Sequence, residues 1–230
     1  MSYADLYHSP WHNPGLFIVT NGLLLVFLVL RKPAQPEAVF LRNTSLVLAI
    51  LAIADACLTA ELAPFSGATL LYVCIPFVIL GDVRFFFLLE RYARKSGGSA
   101  PWTHLFLRSL GWGLIVPATA YATKMAFYPE RTIAWLFLTY ESFFIVLALV
   151  FNTLVLPRWM NAWNISAAHK RWIRGIGWLE FAFYALWALA DVVILSGHDG
   201  GYLLRLVPNI MYYAVFGWFV ILSAPEDLRS

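Results

Sequence analysis

Charge is scarce in this sequence. Only 13% of its 230 residues are Asp, Glu, Lys or Arg, about half of the roughly 25% usual for a soluble domain. So little charge cannot cover a soluble globule of this size. The net charge of +3 is too small to imply a nucleic-acid partner. Cysteine is nearly absent. Cys57 and Cys74 both fall inside apolar runs, which excludes a disulfide framework or a zinc knuckle and predicts buried, inert thiols. Familiar catalytic patterns are missing as well. There is no Walker loop, no Gly-x-Ser-x-Gly, no His-Glu-x-x-His and no aspartate-rich repeat to hold magnesium on a diphosphate. Phosphoryl transfer and metal-dependent hydrolysis are therefore weak readings, and no cofactor or metal is expected. Met1 to Pro14 lacks the basic region of a signal peptide.

Apolar residues are what the chain has in plenty: 61% hydrophobic, 17% aromatic, mean hydropathy +0.71. A spanning helix needs about 20 mostly apolar residues. Seven segments meet that need, at approximately 15–31, 39–62, 68–90, 103–124, 132–156, 173–196 and 203–224. Turn residues separate them: Lys32 to Pro36, Ala63 to Gly67, Ser96 to Pro101, Tyr128 to Arg131, Pro157 to Lys170 and Gly197 to Gly201. The fold expected is all-α, a multi-pass integral membrane bundle of seven transmembrane helices over 15–230. Residues 1–14 form an interfacial tail, where Tyr3, Leu6, Tyr7 and Trp11 recur at helical spacing.

Orientation follows from Lys and Arg. Arg31, Lys32, Arg42, Arg91, Arg94, Lys95, Arg108, Arg158, Lys170, Arg171, Arg174 and Arg229 fall on one side; Lys124, Arg131 and Arg205 fall on the other. The rich side is cytoplasmic, so the N-terminus is expected outside and the C-terminus inside. Ala54-Asp55 and Ala190-Asp191 sit late in two outward-running helices, and the helix after each carries a proline, Pro76 and Pro208. This suggests a parallel 3+1+3 repeat with the fourth helix as linker.

Ionisable residues inside a membrane are costly and tend to pair or to act. Asp82 and Arg84, in the inner half of helix three, are two apart and do not face each other. Arg84 needs a partner from another helix, and Glu180 lies at its depth, so Arg84, Glu180 and Asp82 are assigned to a structural ion-pair group. In the outer half, Asp55, Glu61, Glu141 and Asp191 have no cation expected at their depth. Carboxyls gathered in low dielectric hold protons and can serve as acids. Asp55, Asp191 and Glu61 are the candidate catalytic acids. Tyr72, Glu141, Trp187, Asn209, Tyr212 and Tyr213 are candidates to line a substrate cavity and steady a developing positive charge. His8 and His12 have metal-ligand spacing on a helix, but are read as surface histidines.

Some resemblances are partial. Seven helices with an outside N-terminus are shared with rhodopsins and G-protein-coupled receptors. The last helix has no lysine for a Schiff base, which removes a retinal pigment. Glu90-Arg91-Tyr92 resembles the receptors' Glu/Asp-Arg-Tyr motif, but the usual cysteine partner after helix four is missing. Leu80-Gly81-Asp82 resembles a fragment of the lysoplasmalogenase pattern. Length and topology are similar to the fungal-type terpene cyclases, with Glu61 answering their helix-two glutamate and Asn209 standing where an acid would be needed. None of these amounts to a family assignment.

The leading reading is a membrane-embedded enzyme acting on an apolar lipid or isoprenoid by acid catalysis from intramembrane carboxyls. Its partners would be membrane lipid and a hydrophobic small molecule; the sequence implies no particular oligomeric state. The alternatives are a proton-coupled small-solute transporter and a non-catalytic membrane subunit.

Overall fold

The computed structural model describes residues 2–94, 100–163 and 165–229. Lys95 and the Ser96–Ser99 part of the expected turn lie outside the described residues. The chain forms α1 (Tyr3–Tyr7), a π-helical turn (Trp11–Leu16), α2 (Phe17–Leu30), α3 (Pro36–Thr59), α4 (Gly67–Tyr92), α5 (Trp102–Phe127) and α6 (Ile133–Val150). A second π turn (Phe151–Val155) leads into α7 (Leu156–Asn161), followed by α8 (Ala167–Leu195) and α9 (Gly200–Asn209). A third π turn (Ile210–Val215), α10 (Phe216–Leu222) and α11 (Glu226–Arg229) complete it. Among the described residues there is no strand.

Local chemistry explains the helix starts. α1 opens on a capping box, the Ser2 hydroxyl accepting from the Asp5 amide at 3.0 Å while the Asp5 carboxylate accepts from the Ser2 amide at 2.7 Å. α3 opens with Pro36 in its first turn, where the missing N–H is no loss. α8 is capped by Ser166, whose hydroxyl accepts from the His169 amide at 3.2 Å. All three π turns lie beside or across a proline: Pro14, Pro157 or Pro208. A proline removes one amide from the i to i−4 ladder, and an extra residue in the turn is one way to accommodate the gap.

Six stretches are long and apolar enough to cross a membrane: Tyr3–Leu30, Pro36–Thr59, Tyr72–Tyr92, Ile133–Asn161, Ala167–Leu195 and Gly200–Leu222. The chain is therefore a multi-pass integral membrane protein. α5 is 26 residues long but is not among them, its apolar run diluted by His104, Arg108, Lys124 and several Thr and Gly positions. The exposed faces fit a lipid surrounding. On α2, Phe17, Asn21, Leu24 and Leu28 are buried, while Val19, Leu23, Val26 and Leu30 on the other face are each at least 59% exposed. Water would penalise that apolar stripe; lipid does not. Cys57 is likewise exposed rather than buried, because apolar surroundings in a spanning helix include lipid as well as protein.

The chain divides into two compact units, Met1–Phe77 with Asn209–Ser230, and Val78–Pro208. Both crossings between them run inside a helix, one residue past Pro76 in α4 and directly after Pro208 in α9. In the first unit α3 packs against α2, α10 and α11. Its buried face, Ser45, Ala49, Ala52 and Ala56, is small, which lets neighbouring backbones approach. Asn21 donates to the Tyr213 carbonyl at 2.8 Å, in the third π turn, and the Trp218 indole donates to the Thr20 carbonyl at 3.2 Å. In the second unit the main packing is α6 along α8, with α5 against α6. Asn152 donates to the Gly177 carbonyl at 2.9 Å across that core.

Candidate functional site

The site in the first unit is built from a break in the chain. Asn13 precedes Pro14, and the ring of a proline disfavours the helical conformation in the residue before it. Asn13 is extended, at φ −138° and ψ 112°. The chain re-enters helix only because Gly15 allows close approach: its amide donates to the Pro10 carbonyl at 2.8 Å, and a β-carbon on Gly15 would lie 2.8 Å from that same oxygen. This break turns the His12 ring inward. His12 is 8% exposed, its Nδ1 lies 2.9 Å from the Tyr7 carbonyl, and its ring meets Phe17 edge-on at 5.2 Å. The expectation of a surface histidine is corrected for His12. Helical spacing does not reveal a break at the next residue.

A cavity of about 330 Å³ lies here, lined by α1 and the broken segment, the end of α3 and the residues after it, and Asn209. On its wall His8 Nδ1 lies 2.8 Å from Glu61 Oε1, both side chains about half exposed. With Nδ1–H donating to the carboxylate, Nε2 of His8 is left as a proton acceptor, an orientation that a carboxylate imposes on imidazole in many acid–base sites. Thr59, another wall residue, donates its hydroxyl to Asp55, 2.7 Å from Oδ1 and 2.9 Å from the carbonyl oxygen. Asp55 therefore stands one hydroxyl behind the cavity. Asn209 donates to the Tyr7 hydroxyl at 3.4 Å.

The other acids expected in the outer half are placed differently. Asp191 on α8 forms an ion pair with Arg205 of α9, and Glu141 on α6 lies 3.9 Å from the same guanidinium. This corrects the expectation that no cation reaches that depth. Arg205 sits in the second turn of α9, and its long stem carries the charge inward. Glu61 also has a partner, His8.

In the core of the second unit, the Asp82 carboxylate accepts from the hydroxyls of Tyr140 and of Tyr184, the latter at 2.5 Å. Arg84 acts electrostatically on both Asp82 and Glu180. Glu180 is fully buried, with neither carboxylate oxygen hydrogen-bonded. Glu90, the first residue of the Glu-Arg-Tyr triplet, is also fully buried. Both of its oxygens lie 3.1 Å from Arg94, Arg108 lies 3.8 Å away, and the Trp112 indole donates to it at 3.3 Å. Glu90 thus ties the C-terminal end of α4 to Arg108 and Trp112 of α5.

The aromatic candidates are spread out. Tyr72 is 71% exposed and does not line the cavity. Trp187 is buried against Phe183 and Tyr184, each at 5.3 Å. Tyr213 stacks on Phe17 at 4.7 Å, and Tyr212 packs edge-on to Tyr213 at 4.6 Å. Asp55, Glu61, Tyr72, Asn209, Tyr212 and Tyr213 belong to the first unit; Glu141, Trp187 and Asp191 belong to the second. Among the described residues no group of three His, Cys, Asp or Glu is placed to hold a metal ion. Sequence reasoning missed Tyr7, His12 and Asn13 as wall residues. The available signal was Asn13-Pro14-Gly15, a turn signature where the tail meets the first apolar run.

The chain matches no family model, no curated protein and no solved structure.

Proposed function

We propose that this protein is a seven-span membrane enzyme, with its N-terminus outside and C-terminus in the cytoplasm, acting by acid–base catalysis on the polar end of a lipid-like substrate. α5 supplies the seventh span. Residues 1–14 form the outer-surface segment and 15–230 the spanning domain. The observation that carries the reading is the His8–Glu61 contact, 2.8 Å on the wall of a cavity. Glu61 orients His8, and the pair exchanges a proton with the bound polar group. Asp55 positions Thr59 behind the wall. Asp191 and Glu141, both held on Arg205, have a structural role.

The test compares membranes of cells that produce the wild type, Glu61→Gln or His8→Ala at equal levels, by mass spectrometry of their lipids. The wild type should deplete one lipid class and enrich its product. Loss of a general acid–base group lowers rate by roughly 10²–10⁴-fold, so both variants should return the profile to that of cells lacking the protein. A wild-type lipid profile from folded Glu61→Gln would overturn the reading. One observation favours a proton-coupled carrier instead: Glu141 and Asp191 share a single guanidinium. Solute uptake into liposomes driven by a pH gradient, and abolished by Asp191→Asn, would select that alternative.

A further inference from the structure

Several arginines near helix ends are tied to the protein. Arg94 and Arg108 meet Glu90, and Arg42 is held by the Asn43 side chain and the Arg31 carbonyl. Arg171 and Arg174 on α8 are not tied. Both are exposed, and among the described residues neither side chain has an ion pair or a hydrogen bond. Glu180, the nearest acid in sequence, is fully buried and lies on the opposite side of the helix from Arg171. The two arginines are three residues apart, where like charges on one helix face repel. An anion between them removes that repulsion. Two planar guanidinium forks one turn apart match the oxygens of a phosphate.

The rest of that face decides where the phosphate comes from. At 3.6 residues per turn, Arg171, Arg174, Trp178, Phe181, Leu189 and Val192 fall within about 80° of the α8 circumference. Trp178 is 46% exposed, Leu189 52% and Val192 51%. Leu189 lies about 22 Å along the axis from Arg174, deeper than one leaflet of a hydrocarbon core about 30 Å thick. α8 is a membrane-spanning stretch, so this stripe faces lipid chains. Trp178 lies about 6 Å below Arg174. Its ring is set edge-on against Phe181 at 5.5 Å, and its indole N–H has no acceptor among the described residues. Indoles favour the headgroup level of a bilayer, where glycerol ester carbonyls accept hydrogen bonds. A soluble phosphate would use the arginines and leave the indole and the stripe unmatched. An acidic protein segment would reach the arginines but not the apolar face within the bilayer.

We infer that this face of α8 binds a phospholipid of net negative charge, Arg171 and Arg174 holding its phosphate, Trp178 its glycerol ester and the apolar stripe its chains. The proposed topology puts this end of α8 at the cytoplasmic leaflet, where anionic lipids collect. The site is separate from the His8–Glu61 pair, and its occupancy does not depend on turnover there.

The test uses the full chain, purified in a neutral detergent and freed of lipid, with bound lipid counted by native mass spectrometry. The probes are phosphatidylglycerol and phosphatidylcholine, both with oleoyl chains. Phosphatidylglycerol should fill one site more tightly than phosphatidylcholine and raise the melting temperature. Arg171→Gln and Arg174→Gln should each weaken that binding about tenfold, as expected for losing hydrogen bonds to a charged group. Arg158→Gln, at another exposed arginine, should leave it unchanged. Without lipid, all three variants should melt with the wild type, which shows that they fold. Equal binding of the two lipids by the wild type overturns the inference, and that result needs no variant. Undiminished binding by the Arg171→Gln/Arg174→Gln double variant overturns it. So does an equal loss in Arg158→Gln, because diffuse charge would then suffice. Glycerol 3-phosphate displacing the lipid at equal concentration would make the occupant a soluble phosphate, and hexaglutamate doing so would make it an acidic protein. Either displacement overturns the lipid site.

Discussion

Two buried carboxylates depend on one side chain, Arg205. Asp191 is paired with it and Glu141 lies 3.9 Å away. Arg205→Leu would leave both acids in an apolar setting with no positive charge beside them. Breaking a buried pair from one side costs about 3–5 kcal/mol, so a markedly lower melting temperature in detergent is expected. Adding Asp191→Asn should recover part of the loss, because the amide carries no charge to strand. Equal destabilisation by the single and double variants would remove Arg205 from this role. The acids themselves were legible in the sequence as rare charges in apolar runs. Their partners were not. An arginine's effective depth depends on a flexible stem, and a loop histidine such as His8 shows its reach to Glu61 only once the chain is folded.

Helix crossings set the next constraint. Where α8 passes the second π turn, Asn152 donates to the Gly177 carbonyl, and a β-carbon on Gly177 would fall 1.9 Å from Asn152 Oδ1. Gly177→Ala should therefore cost about 1–3 kcal/mol as an overpacked core, read as a lower melting temperature. Asn152→Ala in the same chain should relieve the clash, so that the second alanine does less harm than it would alone. The elements themselves were largely readable. Seven apolar segments bounded by turn residues fall on α2 to α6, α8, and α9 with α10, with ends shifted by a few residues. The π turns were not readable. One added residue in a turn barely alters an apolar pattern in which nearly every position is hydrophobic. The proline beside each was visible, but a proline alone does not say whether a helix kinks, stops or widens.

At the scale of the molecule, the number of crossings decides where each loop lies. α5 falls short in hydropathy yet is 26 residues long. If it spans, Glu130 after it is outside and Arg91 before it is cytoplasmic. After replacing Cys57 and Cys74 with alanine, Glu130→Cys should react with a membrane-impermeant maleimide added to intact cells, and Arg91→Cys only after the cells are opened. Both reacting from one side would end the seven-span topology. The division into two units was harder to foresee. Pro76 and Pro208 stand out in the sequence, but compactness depends on long-range packing that a local pattern does not carry. The cavity of the first unit is walled on one flank by the stretch before Asn13, which joins α2 through a single extended residue. On the proposed topology, a protease clipping there from outside would unroof the pocket while leaving α2 and every later helix whole. The protein would keep its fold yet forfeit its occupant, a way of silencing it that never requires passage through the bilayer.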